Sequence, residues 1–182
     1  MSQEKNEYAS HSPLAEGGKT LILVRHAKSS WDVIGMDDFD RPLNERGKKD
    51  APEMAKRLKE KGLKIDVFIS SPAKRARKTA KIFAEEYKVE KEEILQIQNL
   101  YEASANAFYE VVSAIDDKYQ TAIIFSHNPG ITQLANSLTN VHIDDMPTCA
   151  LFAVHVEAAR WNEFKHSTKN FLFFDYPKNP LG

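Results

Sequence analysis

Residues 20–27 read TLILVRHA, and this octet decides the fold. Leu21, Ile22, Leu23 and Val24 form an unbroken apolar run. A strand written that way is covered on both faces, as in a sheet with helices above and below it. The run then stops at Arg25 and His26. Two later segments share the design. DVFIS at 66–70 leads into Ser71 and Pro72, with Arg75 close behind, and TAIIFS at 121–126 leads into His127.

Amphipathic stretches lie between these runs. Ala51, Met54, Ala55 and Leu58 repeat at helical spacing, predicting a helix from near Asn44 to Lys61 that Gly62 stops. Pro52 falls inside that span and costs a backbone bond unless it lies near a helix start or at a kink, so spacing alone leaves the start open. Ser71 as N-cap and Pro72 as first helical residue predict the start of a second helix, with Ala76, Ala80 and Phe83 inward. Residues 94–98 read as a weak strand. Residues 105–115 read as a helix burying Phe108, Val111, Val112 and Ile115, and 129–138 as one burying Ile131, Leu134, Ala135 and Leu138. Residues 150–156 and 171–174 are late strands, although the second run also suits a segment packed over a sheet edge. Strand and helix alternate, which predicts an α/β fold: a three-layer α/β/α sandwich around a mainly parallel central sheet.

The chain has 182 residues, a length suited to one domain over 19–182, preceded by a polar, flexible arm over 1–18. A formal charge of −1 offers no global basic surface for nucleic acid or an anionic membrane. No apolar run is long enough to span a bilayer. The one cysteine, Cys149, lies in the apolar string TCALFAV and reads as a small buried hydrophobe. A disulfide framework is thereby excluded, and a reducing, cytoplasmic setting is expected. The N-terminus shows no signal-peptide pattern.

In a parallel sheet the carboxyl ends of the strands open on one side, and ligands bind there. Arg25, His26, Arg75 and His127 are therefore expected in one crevice. Two arginines and two histidines around a point make an anion site. The planar arginine fork matches phosphate oxygens, and Arg75 sits in a first helical turn, where anions are favoured. A neutral imidazole is a nucleophile near pH 7, and a second imidazole among phosphate oxygens gains a proton and stabilises transferring charge. The other histidines, His11, His142, His155 and His166, show no ligand spacing, so no metal site and no cofactor are expected. Arg77 in the run KRARK points away from Arg75 and carries no catalytic role. Trp31 and Phe39 are expected at the crevice mouth, and Trp161 against the late strands.

These strings resemble the signatures of the histidine phosphatase superfamily. LVRHAKS is similar to its first arginine–histidine motif, LNERGKKDA to the segment after the first loop, SSPAKRARKTA to its second arginine motif, and SHNPG to its second histidine motif. They stand in the family order over roughly residues 20–140, and the short form most resembles the SixA-type phosphohistidine phosphatases. The resemblance implies a phosphoglycerate mutase-like fold. It makes His26 the phosphorylated nucleophile, Arg25 and Arg75 the clamp on the phosphoryl oxygens, and His127 its completion. It points to Glu102, in LYEASA, as the acid for the leaving group, with Asp32, Asp37, Asp38 and Asp40 as substitutes. The usual glycine after the histidine is Ala27, a methyl group that the pocket is expected to tolerate. Lys28 and Ser29 are candidates for further charge and a hydroxyl donor.

Little chain separates Arg75 from Glu102, where larger relatives build a lid. An open site suits a phosphate displayed on another protein, above all a phosphohistidine. A phosphatase or mutase acting on small phosphate esters is the second reading, and a non-catalytic phosphate-binding module the third.

Overall fold

The computed structural model describes residues 17–31 and 35–180. Most of the expected arm, with His11, and Asp32 of the first loop lie outside the described residues. The first strand, β1 (Lys19–Arg25), is followed by α1 (Glu45–Glu60), β2 (Val67–Ser70), α2 (Lys74–Glu86) and the two-residue β3 (Leu95–Gln96). Then come α3 (Ala105–Ser113), β4 (Thr121–Ser126), α4 (Gly130–Leu138), β5 (Leu151–Val156) and β6 (Lys169–Asp175). No helix among the described residues is long and apolar enough to cross a membrane.

The strands form one sheet in the order β3-β2-β4-β1-β5-β6. Strands β1, β4, β2 and β3 run parallel. The late strands β5 and β6 join antiparallel, and β6 is a true edge strand rather than a covering segment. Side chains alternate along β1. Leu21 and Leu23 enter the core layer beneath α3 and α4, together with Phe108, Ile131 and Leu134. Ile22 and Val24 enter the opposite layer with Met54 and Leu58 of α1 and Phe83 of α2. Both layers exclude water, which gives the expected three-layer sandwich. Trp161 is fully buried in the first layer, with its Nε1 donating to the carbonyl of Tyr119 at 2.8 Å.

Register places the strand ends side by side. Arg25 pairs with Ser126, and Ser70 with Phe125. His26, Ser71 and His127 therefore leave the sheet at adjacent points. Strand β4 lies between β1 and β2, so this is also where the chain order of the sheet reverses.

One helix start matches the sequence reading and one departs from it. Helix α1 runs through Pro52, which is exposed, so solvent can serve the carbonyl its missing N–H leaves. Asn44 settles the start: its side chain accepts from the Gly47 amide at 2.9 Å, as an N-cap does. Helix α2 begins at Lys74, not at Pro72. The Ser71 hydroxyl accepts from Ala73 at 3.3 Å and also bonds His127, so it makes a turn instead of a cap.

The loop after β1 is clamped to the start of α1. The Asn44 amide donates to the Lys28 carbonyl at 3.0 Å. Gly47 packs so closely there that a Cβ would collide with that carbonyl oxygen and lie 2.9 Å from the Lys28 amide nitrogen. Backbone cannot yield as a flexible side chain does. Gly47→Ala should therefore cost roughly 2 kcal/mol or more, read as a lowered urea midpoint. Urea unfolding identical to wild type would show that the close approach is not under constraint.

Candidate active site

The strand ends and the first loop enclose a cavity of about 330 Å³. Arg25, His26, Arg75 and His127 all line it, and so do Glu102, Lys28, Ser29, Trp31, Asp38 and Arg41. The sequence expectation of one shared crevice is met. Phe39 differs: it packs edge-on against Tyr101, with ring centroids 5.2 Å apart, and does not line the cavity.

Backbone bonds hold His26 in place. Its amide donates to Ser126 at 3.0 Å, and its ring Nδ1 lies 2.8 Å from the Ala27 carbonyl oxygen. A carbonyl only accepts, so Nδ1 carries the proton and Nε2 the lone pair. Arg75 Nε donates to that lone pair at 3.2 Å. Ala27 is fully buried in the core layer beneath α1, where its methyl packs without entering the cavity wall. Its amide donates to the Thr79 hydroxyl at 3.0 Å, and that hydroxyl donates to the Arg75 carbonyl at 2.8 Å. Thr79 thus ties the histidine loop to the helix that carries Arg75.

Arg75 is 5% exposed, and each edge of its guanidinium is engaged. Besides His26, it meets Asp38: Nη2 donates to the carboxylate at 2.8 Å, and Nη1 donates to the Asp38 backbone carbonyl. Asp38 also accepts from Arg41 at 2.7 Å and from the Tyr101 hydroxyl at 3.0 Å. Burial alone would raise its pKa, but the bonds from Arg75, Tyr101 and Arg41 hold it down to about 2. Asp38 is therefore an ionised acceptor here, which fits poorly with the role of substitute proton donor. Asp37 and Asp40 do not line the cavity.

His127 is nine-tenths buried, and its ring centroid lies 5.1 Å from that of His26. Its Nε2 shares a hydrogen bond of 2.7 Å with the Ser71 hydroxyl, and its Nδ1 is buried without a hydrogen-bond partner among the described residues. Burial, followed by the positive charge of Arg75, pushes its pKa down to about 3. Burial likewise holds His26 well below the ordinary imidazole value, and the neighbouring His127 and Arg75 add to the effect. Both rings are neutral at pH 7, so His26 Nε2 keeps a lone pair, which the Arg75 Nε–H engages in the free site.

Arg25 donates to the Met146 carbonyl at 2.6 Å and pairs with Asp145 at 3.2 Å. Burial lowers its pKa, against the raising effect of Asp145. Cys149 donates its amide to the Arg25 carbonyl at 2.9 Å, and burial pushes its thiol pKa up, as an inert core residue requires. Glu102 is exposed at the cavity rim in a left-handed conformation, φ 52. Gly130 holds that loop, since a Cβ there would collide with the Ala103 carbonyl. Lys28 is exposed, whereas Ser29 is buried and its hydroxyl accepts from Arg41.

Arg41, Ser71, Thr79 and Tyr101 were not assigned from sequence. Arg41 is the chief omission. It is buried, its guanidinium stacks 3.3 Å from the Trp31 ring centroid, and it donates to the Ser30 carbonyl at 3.1 Å. An arginine ahead of Pro42-Leu43, between an Asp-rich loop and a helix cap, was the available signal.

Four cationic side chains, Arg25, Lys28, Arg41 and Arg75, face two acids, Asp38 and Glu102, around the cavity. That surplus suits a dianion.

The family model of the histidine phosphatase superfamily (branch 1) matches residues 21–123. An uncharacterized chloroplastic protein of Arabidopsis thaliana is 31% identical over 170 residues, covering 84% of this chain and 73% of that protein. The 2,3-bisphosphoglycerate-dependent phosphoglycerate mutase of Bartonella tribocorum is 40% identical over 73 residues, which is 38% of this chain and 34% of the mutase. The chain thus spans only about a third of the mutase it matches. Among solved structures, the SixA protein of Agrobacterium tumefaciens superposes with a TM-score of 0.75 at 23% identity, covering 88% of this chain and 99% of that one.

The depressed imidazoles have a signed consequence. Between about pH 6.5 and the folded values, the unfolded chain binds protons that the folded chain refuses. The stability due to neutral rings is therefore full above about pH 6.5 and is lost as pH falls. NMR of the imidazole carbons should show both rings neutral at pH 5.5, with urea stability declining from pH 7 toward pH 4. Bound tungstate, an oxyanion, should raise the His127 value. Titration of either ring near its ordinary value in the free protein would contradict the burial argument.

Proposed function

Because this chain belongs to the histidine phosphatase superfamily, we propose that it is a metal-independent phosphatase working through a phosphohistidine on His26, with phosphorylated proteins, and phosphohistidine proteins above all, as substrates. The observation that carries the chemistry is the tautomer of His26. Its one proton is tied to the Ala27 carbonyl, so Nε2 presents its lone pair within the cationic cavity.

In this reading a phosphoryl group takes over the Nη donors of Arg75 that Asp38 occupies in the free site. A dianion outcompetes a single carboxylate for paired guanidinium groups. The Arg75 Nε–H shifts from Nε2 to a phosphoryl oxygen, and the freed Nε2 of His26 bonds to phosphorus while the bond to the leaving atom breaks. Glu102 supplies the proton that the leaving atom needs. His127, depressed in the free site, gains a proton as phosphoryl charge arrives, and its orphaned Nδ1 then has an acceptor within the pocket. In the second half, water attacks the phosphorus of phospho-His26 and gives its proton to Glu102. Inorganic phosphate leaves and the neutral ring is restored.

The choice of protein substrates rests on the shape of the cavity. Among the described residues, none between 76 and 101 lines it. That span is spent on α2, two short 3-10 turns and β3, with no cover for a small metabolite. The likeness to a phosphoglycerate mutase over part of the chain supports a second reading, turnover of small phosphate esters. The buried single thiol fits a reducing compartment, and we assign the cytoplasm.

A phosphoryl donor labelled with ³²P, followed by an alkaline quench, should leave label on wild type and none on His26→Ala. Arg75→Lys should retain a few per cent of activity or less, roughly a hundredfold loss, because a point charge does not replace the fork. A substrate panel then separates the readings. Turnover of phosphoglycerate and sugar phosphates, with phosphohistidine protein untouched, would reject the phosphoprotein assignment.

A further inference from the structure

Helix α2 sends Arg75 into the cavity and presents the rest of its cations to solvent. Between Ser71 and Phe83 the chain carries five cations and no carboxylate. Lys74, Arg77, Lys78 and Lys81 follow the i, i+3, i+4, i+7 pattern of a single helix face. Lys74, Arg77 and Lys78 are exposed. None of these three has an ion-pair partner among the described residues, while Lys81 pairs with Glu85 at 3.6 Å.

The neighbouring helix shows what an ordinary solvated face looks like in this protein. On α1 the pairs Glu45–Lys48, Arg46–Asp50, Glu53–Arg57 and Lys56–Glu60 neutralise one another along the helix. On the α2 ridge only Lys81 has such a pair among the described residues. Its cations also crowd the helix N-terminus, where the macrodipole disfavours positive charge. Uncompensated cations in an unfavourable place, on a chain of net charge −1, are a local cost without a structural return.

The ridge starts one residue before the Arg75 that lines the cavity, and runs about 10 Å away from it. Beside it lies a second hollow of about 300 Å³, where Arg77 and Lys81 face Lys91, Ile94 and Gln96. Glu92 also borders it and is paired with Lys91 at 3.5 Å.

We propose that the Lys74–Arg77–Lys78–Lys81 ridge and its hollow are a docking surface for a protein substrate whose phosphorylated side chain is flanked by acidic residues. The proposal rests on the phosphoprotein reading above and specifies which phosphoproteins the site selects. With the phosphoryl group held by Arg75 and His26, acidic neighbours on the partner reach the ridge. A small phosphate ester fills the cavity alone and does not touch it.

The test uses two phosphohistidine peptides of equal length, one with Glu on both sides of the phosphohistidine and one with Lys. Para-nitrophenyl phosphate reports the chemistry without the ridge. Wild type should favour the Glu-flanked peptide in kcat/KM by at least about tenfold at low salt, with the gap closing at high salt. The triple variant K74E/R77E/K78E should reverse that preference and leave the para-nitrophenyl phosphate rate within about twofold, since surface charges far from the reacting atoms move association more than chemistry. Negative charge at a helix start is favourable, so the variant should keep its thermal midpoint. A peptide preference that survives the triple variant, or no preference in wild type, overturns the proposal. If wild type cleaves para-nitrophenyl phosphate but neither peptide, the phosphoprotein reading fails first and the ridge proposal with it. If the variant instead loses binding to single-stranded RNA or phosphatidylserine vesicles with peptide rates unmoved, the ridge belongs to another partner and the proposal is overturned.

Discussion

A buried guanidinium must be satisfied on every edge, and the way Arg75 meets that demand organises the site. Its Nε takes the lone pair of His26, and its two Nη groups take Asp38. Three properties follow from this one cation. It opposes a second proton on His26, so Nε2 keeps its lone pair. It holds Asp38 ionised, so that carboxylate does not supply a proton there. It also reserves for an anion the place that a carboxylate occupies in the free protein. A charge taken out of water needs such partners, and these are partners that a phosphoryl group can replace.

The surrounding bonds make this arrangement stiff. Thr79 links the amide of Ala27 to the carbonyl of Arg75, so the loop of His26 and the helix of Arg75 share one hydroxyl. Asn44 caps α1 with its side chain and holds Lys28 with its amide. The Ser126 hydroxyl donates to the Leu100 carbonyl at 2.7 Å and so anchors the segment that leads to Tyr101 and Glu102. Preorganisation of this kind lets fixed donors meet developing charge without rearranging at the moment of reaction. The loop of Asp38 and Arg41 bonds to Ser29, Arg75 and Tyr101. It is held to the rest largely by polar contacts, which an entering anion competes for directly.

Much of the site was legible because its residues stand where strands end. The apolar runs before Arg25, Ser71 and His127 are long enough to be strands, and a parallel sheet must bring their ends together. Ala27 in place of glycine is tolerated because its methyl belongs to the core layer. Ser71 was misread as a helix cap because serine before proline is a common start signal. Its hydroxyl instead serves His127, a partner 56 residues away that no local rule contains. Arg41 was missed for the same reason. In sequence it is one more charge in a polar loop, and only folding brings Ser29, Ser30 and Trp31 around it.

The amino-acid sequence by itself determined the layered α/β architecture and the meeting of Arg25, His26, Arg75 and His127. Hydrophobic period and strand-end position are local properties, and the topology of a parallel sheet carries them into space. The tertiary structure alone decided which nitrogen of His26 bears the proton, which acid sits on Arg75, and that the late strands join antiparallel. It also decided that the cations of α2 divide into one inside the cavity and a row outside it. Each of those outcomes depends on the partner that a group finds across the fold, where burial multiplies the worth of a single hydrogen bond or charge.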